Sequence, residues 1–440
     1  MSLRSLFQPE TIAVYGASAT DSAKLGNTLL RNAAAGGGRV LAVHPSAPAI
    51  DGVDAVPTLD RAVDLALISV PSVRAEVAVA DAAGAGAGAA IVLSSGFGEA
   101  GPEGKAAQDR LSQVARDAGM RLVGPNCMGV VSHLGDGRWL NGSYFWAVPS
   151  VPGGLSFVSQ SGAFGGMFFA HLRSSGRGLS RFLSVGNAAD VGSTDALEWL
   201  GDDPQTTAIG MFIEGIGDGR RFVDVARRIT PHKPVVVLKA GKERAGARAA
   251  ASHTGSMAGS HTAVRAAFRR AGILEATDTD EFFGLIDSVD SNLAPVKRVA
   301  VVTISGGPSV LAADAAERAG FELPSLADST LDRLRSLVPD FAAVGNPIDL
   351  TPQCPPANFV EAIEAVYRDP AIEGVIAINC GLDFVEFGQG VARGVAATGK
   401  PTTGFVLDAP RVAAAMTGAG VLLSASPERA VVALQMGARR

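Results

Sequence analysis

The sequence predicts an α/β protein built on parallel sheets, and three observations carry that expectation. Short β-branched runs alternate with longer helical stretches along all 440 residues. Runs such as AAIVL at 89–93 and VVVL at 235–238 are apolar without alternation, as strands buried on both faces are. Ala-rich segments between the runs, 106–118 and 309–319 among them, have helical length and period.

In order, strands are expected at Thr11–Tyr15, Val40–Val43, Leu65–Val70 and Ala89–Ser94. A second set follows at Leu155–Ser159, Arg181–Val185, Ala208–Ile213 and Val235–Lys239, and a third at Val299–Ile304, Gly374–Asn379 and Thr403–Leu407. Pro/Gly punctuation at VPSVPGG (148–154) and NLAPVK (292–297) separates the sets. Domains at 1–148, 149–294 and 295–440 result, each of ordinary domain size.

Composition narrows the function. Hydrophobic residues make up 47% and charged residues 18%, which excludes a disordered chain. The 38 Lys+Arg against 43 Asp+Glu give a net charge of −5 with no basic stripe, so nucleic acid is not an expected partner. Cys127, Cys354 and Cys380 form no CxxC pair and no zinc spacing, which suits a reducing, cytoplasmic setting without a metal site. Pro9 and Glu10 stand where a signal peptide would need an apolar run. The uncharged stretch 139–170 is broken by Asn141, Pro149 and Pro152, so no membrane span is expected.

Three segments carry chemistry. The first strand opens into Gly16, Ala17 and Ser18, with Lys24 and Gly26 ahead of a helix. Free N–H groups and a helix dipole there suit a phosphate, although the dinucleotide fingerprint is incomplete and a plain strand–turn–helix fits as well. In FVSQSGAFGG, Ser161 and Gly162 open another helix after a strand, as a phosphate site or as an ordinary N-cap. Phe164, Phe168 and Phe169 have helical spacing and are expected in the core rather than in an acyl pocket. The glycines do not form a nucleophile elbow. The segment AGKERAGARAAASHTGSMAG (240–259) holds His253 among small residues. A neutral imidazole can attack phosphorus and leave again, but needs a carboxylate on its other nitrogen. Glu214, ending the strand GMFIE, is the candidate; otherwise His253 is a surface loop histidine.

The motifs VYGAS, LISVPS, SSGFGEAGPEG, VGPNCMG, SQSGAFGG, SVGNAADVG, KPVVVLKAGK and SHTGSMAGS, in this order, resemble ADP-forming acyl-CoA synthetases of the succinyl-CoA synthetase superfamily. The resemblance extends into the last third through TISGGPSV and GNPIDLT. It implies a Rossmann-like CoA-binding domain followed by two flavodoxin-like succinyl-CoA-ligase-type domains, as in an alpha subunit. It implies acyl-CoA, phosphate and ADP exchanging with acid, CoA and ATP through an acyl phosphate and a phosphohistidine. On this resemblance His253 is the phosphorylated residue, Glu214 orients it, and Ser161 and Gly162 hold phosphate. Gly16, Ala17, Ser18, Lys24 and Gly26 bind CoA, with Val70, Pro71, Ser95, Gly96 and Phe97 lining the same crevice.

Some features depart from the pattern. Relatives often read Val-Asn-Pro where this chain reads Val43-His44-Pro45, and a tyrosine of succinyl-CoA synthetases is replaced at Gly165–Gly166. No ATP-grasp segment is evident, so Mg-ADP or Mg-ATP is expected on a separate beta-type ATP-grasp subunit, in a hetero-oligomer acting on a small organic acid. A CoA-binding regulatory protein and a phosphorolytic acyl or carbamoyl transferase remain the alternatives.

Overall fold

The computed structural model describes residues 3–437 except 136, 149–150, 244, 247, 249–260 and 291–292. Residues up to 277 form one compact unit, and those from 278 a second. The first unit contains two sheets. Strands β1 (Thr11–Tyr15), β2 (Arg39–Val43), β3 (Ala49–Ile50), β4 (Val53–Val56), β5 (Leu65–Ile68), β6 (Ala89–Val92) and β7 (Arg121–Val123) lie in the order 3-4-2-1-5-6-7. All pair in parallel except β3 with β4.

The next strands are β8 (Gly129–Gly135), β9 (Arg138–Ser143), β10 (Pro152–Ser159), β11 (Leu179–Ser184), β12 (Ala208–Ile213), β13 (Val235–Lys239) and β14 (Leu274–Ala276). Their order is 14-13-12-10-11-8-9. The expected strands of both sheets form where the apolar runs stand, with ends shifted by up to three residues. All five residues of β13 and all six of β11 are buried.

The hairpin β8–β9 was not among the expected strands. It precedes residue 148 yet adds antiparallel strands to the second sheet through β8 against β11. One apolar cluster runs from Val14, Leu67 and Ile91 of the first sheet to Val158, Ile209 and Val237 of the second. The two sheets therefore share a core across the expected boundary at 148. In the second unit, β15 (Val299–Thr303), β16 (Ile348–Asp349), β17 (Gly374–Cys380), β18 (Thr402–Leu407) and β19 (Leu422–Leu423) form a parallel sheet in the order 16-15-17-18-19. Helix Thr279–Asp290 packs on helix Pro427–Gly437 within this unit.

In both sheets of the first unit the first parallel strand is an inner one; the next parallel strand pairs on one side of it, and the chain then crosses to the other. β1 lies between β2 and β5, and β10 lies between β11 and β12. Such switch points open a crevice at the C-terminal strand ends, where doubly wound sheets take their ligands.

A buried ion pair braces the second sheet. Arg181 on β11 is fully buried, with Nε 3.3 Å from Oδ2 of Asp203. Its guanidinium also donates to the carbonyl of His133 on β8 and, at 3.3 Å, to that of Ser180. Burial pushes the Arg181 guanidinium down from its ordinary value, and Asp203 opposes that shift. Removing one partner would leave the other charge buried and unpaired. The expected cost of Asp203→Ala is about 3–5 kcal/mol of stability, measured by urea unfolding. A loss under about 1 kcal/mol would show that the pair does not brace this sheet.

Candidate active site

The crevice of the first sheet is a cavity of ≈ 910 Å³. Gly16, Ala17, Ser18, Lys24, Gly26, Val70, Pro71 and Ser95 line it, so eight of the ten crevice residues named from the sequence meet there. The turn after β1 needs glycine twice. Gly16 has φ +98°, and a Cβ on it would lie 2.2 Å from the Ser69 carbonyl oxygen. A Cβ on Gly26, in helix Leu25–Ala35, would lie 2.2 Å from the Gly16 carbonyl oxygen, so the helix start can press onto the turn only without a side chain. Asn27, fully buried, then holds the turn: its Oδ1 accepts from the Ser18 N–H (2.8 Å) and its Nδ2 donates to the Ser18 carbonyl (2.9 Å).

Gly96 and Phe97 do not line the cavity. The Phe97 side chain is buried in the apolar core beside Leu111 and Val92. The backbone N–H groups of Gly96 and Phe97 donate to Oε1 of Glu99 at 2.6 and 3.2 Å, so they are spent inside the protein. Oε2 of Glu99 accepts from Asn187 Nδ2 at 2.6 Å, and Asn187 also donates to Gln108 at 2.9 Å. Burial works against ionising Glu99, but the Asn187 and backbone hydrogen bonds outweigh it and hold its carboxyl below the ordinary range.

The cavity takes further side chains beside those eight. Lys24 is joined by Arg74, and His44 lies at the end of β2. Tyr15 donates its hydroxyl to Asp81 Oδ2 at 2.8 Å; burial first, and then Asp81, push that phenol far above its ordinary value. Cys127, in VGPNC, is buried, and burial pushes its thiol up to about 12, which removes it as a thiolate nucleophile at neutral pH.

The second sheet supplies the other half of the site. Ser161 is the N-cap of helix Gly162–Ser175, its Oγ accepting from the Phe164 N–H at 3.3 Å. Ser159 Oγ donates to the Ser161 carbonyl (2.6 Å) and accepts from the Ser161 N–H (3.2 Å), which turns the chain from strand to helix. The capping reading of Ser161 thus holds, and the first-turn N–H groups keep the positive end of the dipole. A Cβ on Gly162 would meet Met128 Cγ at 2.4 Å, so the VGPNCMG loop lies directly against this helix start. Phe164, Phe168 and Phe169 are buried as expected, stacked among Phe157, Phe182 and Phe212. A Cβ on Gly165 would come 2.7 Å from Phe182 Cζ, so aromatic packing requires that glycine.

Glu214 directly follows β12 and is buried at 8% exposure. Gln160 ties it to this helix start. Its Oε1 accepts from the Glu214 and Gly215 N–H groups, the latter at 2.9 Å, and its Nε2 donates to the Gly215 carbonyl at 3.0 Å. From the other side, the buried Lys239 donates to the carbonyls of Glu214 (2.8 Å) and Ala240. Burial pushes the Lys239 amine down, with the Glu214 charge opposing. His253 lies outside the described residues. The strand that leads towards it ends at Lys239, and the chain returns at His261, whose Nε2 is 2.8 Å from Glu275 Oε1.

Three family models match the chain. A CoA binding domain covers residues 10–133, a succinyl-CoA ligase like flavodoxin domain 152–289, and a Ligase-CoA domain 299–384. The chain is similar to the alpha subunit of acetate–CoA ligase [ADP-forming] II from Pyrococcus furiosus, with 37% identity over 90% of this chain and 88% of that one. It is 36% identical to acetate–CoA ligase [ADP-forming] I from Archaeoglobus fulgidus, over 88% of this chain and 57% of that protein. Among solved structures, dinucleotide forming acetyl-coenzyme A synthetase 1 from Ca. Korarchaeum cryptofilum, in complex with phosphate and ADP, superposes with a TM-score of 0.89. The identity there is 33%, with 99% of this chain and 96% of that chain covered.

The Glu99 network makes a pH prediction. Its carboxyl is held below the ordinary range in the fold, so its stabilisation is present above the unfolded value and is lost as pH falls through the folded one. Thermal unfolding between about pH 5 and 3 should therefore fall more steeply for the native chain than for Glu99→Gln. Parallel curves would remove the network's part in acid sensitivity.

Proposed function

This chain belongs to the ADP-forming acyl-CoA synthetases, and from that premise we propose how its residues divide the reaction. It is an acid–thiol ligase of alpha-subunit type, using CoA and phosphate with ADP or ATP. Residues 1–148 hold CoA in the cavity beside Gly16 and Gly26, so that its thioester end reaches the VGPNCMG loop. Residues 149–294 carry the phosphate at the start of helix Gly162–Ser175 and the phosphoryl carrier His253. Residues 295–440 supply the second flavodoxin-like ligase domain.

Phosphate oxygen attacks the thioester carbonyl; the C–S bond breaks, CoA leaves as thiol, and an acyl phosphate remains. The N–H groups at Gly162 hold the phosphate and lower the cost of charge on it. A His253 ring nitrogen then attacks phosphorus, the P–O bond to the acyl group breaks, and the acid leaves as carboxylate. Glu214 accepts the hydrogen bond from the other ring nitrogen, fixing the tautomer and stabilising the phosphoimidazolium cation. ADP takes the phosphoryl group to give ATP, and the sequence reverses for acyl-CoA synthesis.

We assign the nucleotide step to an ATP-grasp partner chain, in line with similar proteins that are named as alpha subunits. The acid is a small one, in line with the acetate of the relatives' names. Among the described residues no helix is long and apolar enough to cross a membrane, and we place the enzyme in the cytoplasm.

The observation that carries this reading is the joining of Glu214 to the helix start at Ser161–Gly162 through Gln160. The test is CoA-dependent ATP turnover of the complex formed with its ATP-grasp partner. His253→Asn should abolish it, and Glu214→Gln should lower it by about 10²–10⁴-fold without unfolding the chain. Full turnover by His253→Asn would reject the carrier.

A further inference from the structure

We propose that Glu275 and Lys242 are positioning residues for His253, gripping the two ends of the chain segment that carries it; this rests on the reading of His253 as the phosphoryl carrier. Both grips are on one short strand. β14 is the edge of the second sheet and runs parallel to β13, with Val237 opposite Glu275 and Leu238 opposite Ala276. β13 ends at Lys239, and just beyond it Lys242 Nζ donates to the carbonyls of Ala276 (2.8 Å) and Thr277 (3.2 Å). On the far side of His253 the chain enters helix His261–Arg270, and Nε2 of its first residue is 2.8 Å from Glu275 Oε1.

A carboxylate only accepts, so the proton of that contact is on His261 Nε2. The Glu275 side chain is 12% exposed, and Arg265 Nε stands 4.0 Å from its other oxygen. Three successive residues, Glu275 to Thr277, thus meet side chains from both ends of the 243–260 segment. β13 already pairs with β14 along its three residues, so the bonds from Lys242 and His261 fix the segment against a strand that is itself in place.

The same sheet holds the carboxylate assigned to His253. Lys239, at the end of β13, donates to the Glu214 carbonyl at 2.8 Å. Glu214 and both ends of the segment therefore share one frame. A reacting group carried between two fixed points has an effective concentration set by where those points stand. Glu275 and Lys242 touch no substrate in this account; they act through the chain that presents the imidazole.

In the complex with the ATP-grasp partner, two steps can be read apart. Phosphorylation of His253 by acetyl phosphate needs the carrier. Arsenolysis of acetyl-CoA, with arsenate in place of phosphate, releases CoA without it. Glu275→Ala and Lys242→Met should each slow His253 phosphorylation by about tenfold and leave arsenolysis within about threefold of the native rate. Glu275→Gln keeps an acceptor for the His261 Nε2–H and should restore phosphorylation to within about threefold. Equal losses in both steps would reduce these residues to support of the fold and overturn the proposal. A native phosphorylation rate in either Glu275→Ala or Lys242→Met, or no rescue by Glu275→Gln, would overturn it too. A native complex that runs arsenolysis but never phosphorylates His253 would overturn the carrier reading itself, a distinct result.

Discussion

The side-chain amide of Gln160 is the interaction on which the catalytic half of the molecule depends. β10 and β12 run side by side as far as the pair Ser159 and Phe212, and then part. The N–H groups of Glu214 and Gly215 and the carbonyl of Gly215 lose the ladder there. Gln160 satisfies all three from one side chain, while its own N–H still donates to the Phe212 carbonyl at 3.1 Å. Each such group left unpaired would cost about 1–3 kcal/mol. The result is a buried glutamate held beside the positive end of a helix, with Lys239 gripping its carbonyl from β13.

The CoA-binding domain solves the same problem by omission. At the first sheet, Gly16 and Gly26 have no side chains, so a strand end, a turn and a helix start can close to contact. Asn27 then pairs with both polar groups of the Ser18 peptide. One half of the site is built by a bridging side chain and the other by two missing ones. Both stand at the C-terminal edges of parallel strands, where a crossover leaves room for a ligand.

Much of this was legible in the sequence, for physical reasons that can be named. Parallel strands buried on both faces write themselves as continuous apolar runs, so β1, β12 and β13 were found to the residue. The hairpin β8–β9 was not, because Gly, Ser and Asn interrupt its apolar pattern and its partner β11 is distant in sequence. Gly96 and Phe97, which the family resemblance puts in the crevice with Ser95, are not among the residues that line the cavity. The structure spends their N–H groups on Glu99 and the phenyl ring on the core. Gln160, Lys239 and Asn27 act through hydrogen bonds to backbone groups distant in sequence, and no local pattern marks those partners. Gln160 had one signal, a long amide set between two serines at a strand-to-helix turn.

The account stands on a phosphoryl group that passes through a histidine served by Glu214. Its most direct test is to locate the covalent phosphate by mass spectrometry after the complete enzyme has been incubated with ATP and quenched in alkali. The account predicts an acid-labile phosphate on the peptide containing His253. An acid-stable phosphate on Ser161, or steady turnover with no phosphorylated side chain at all, would contradict it.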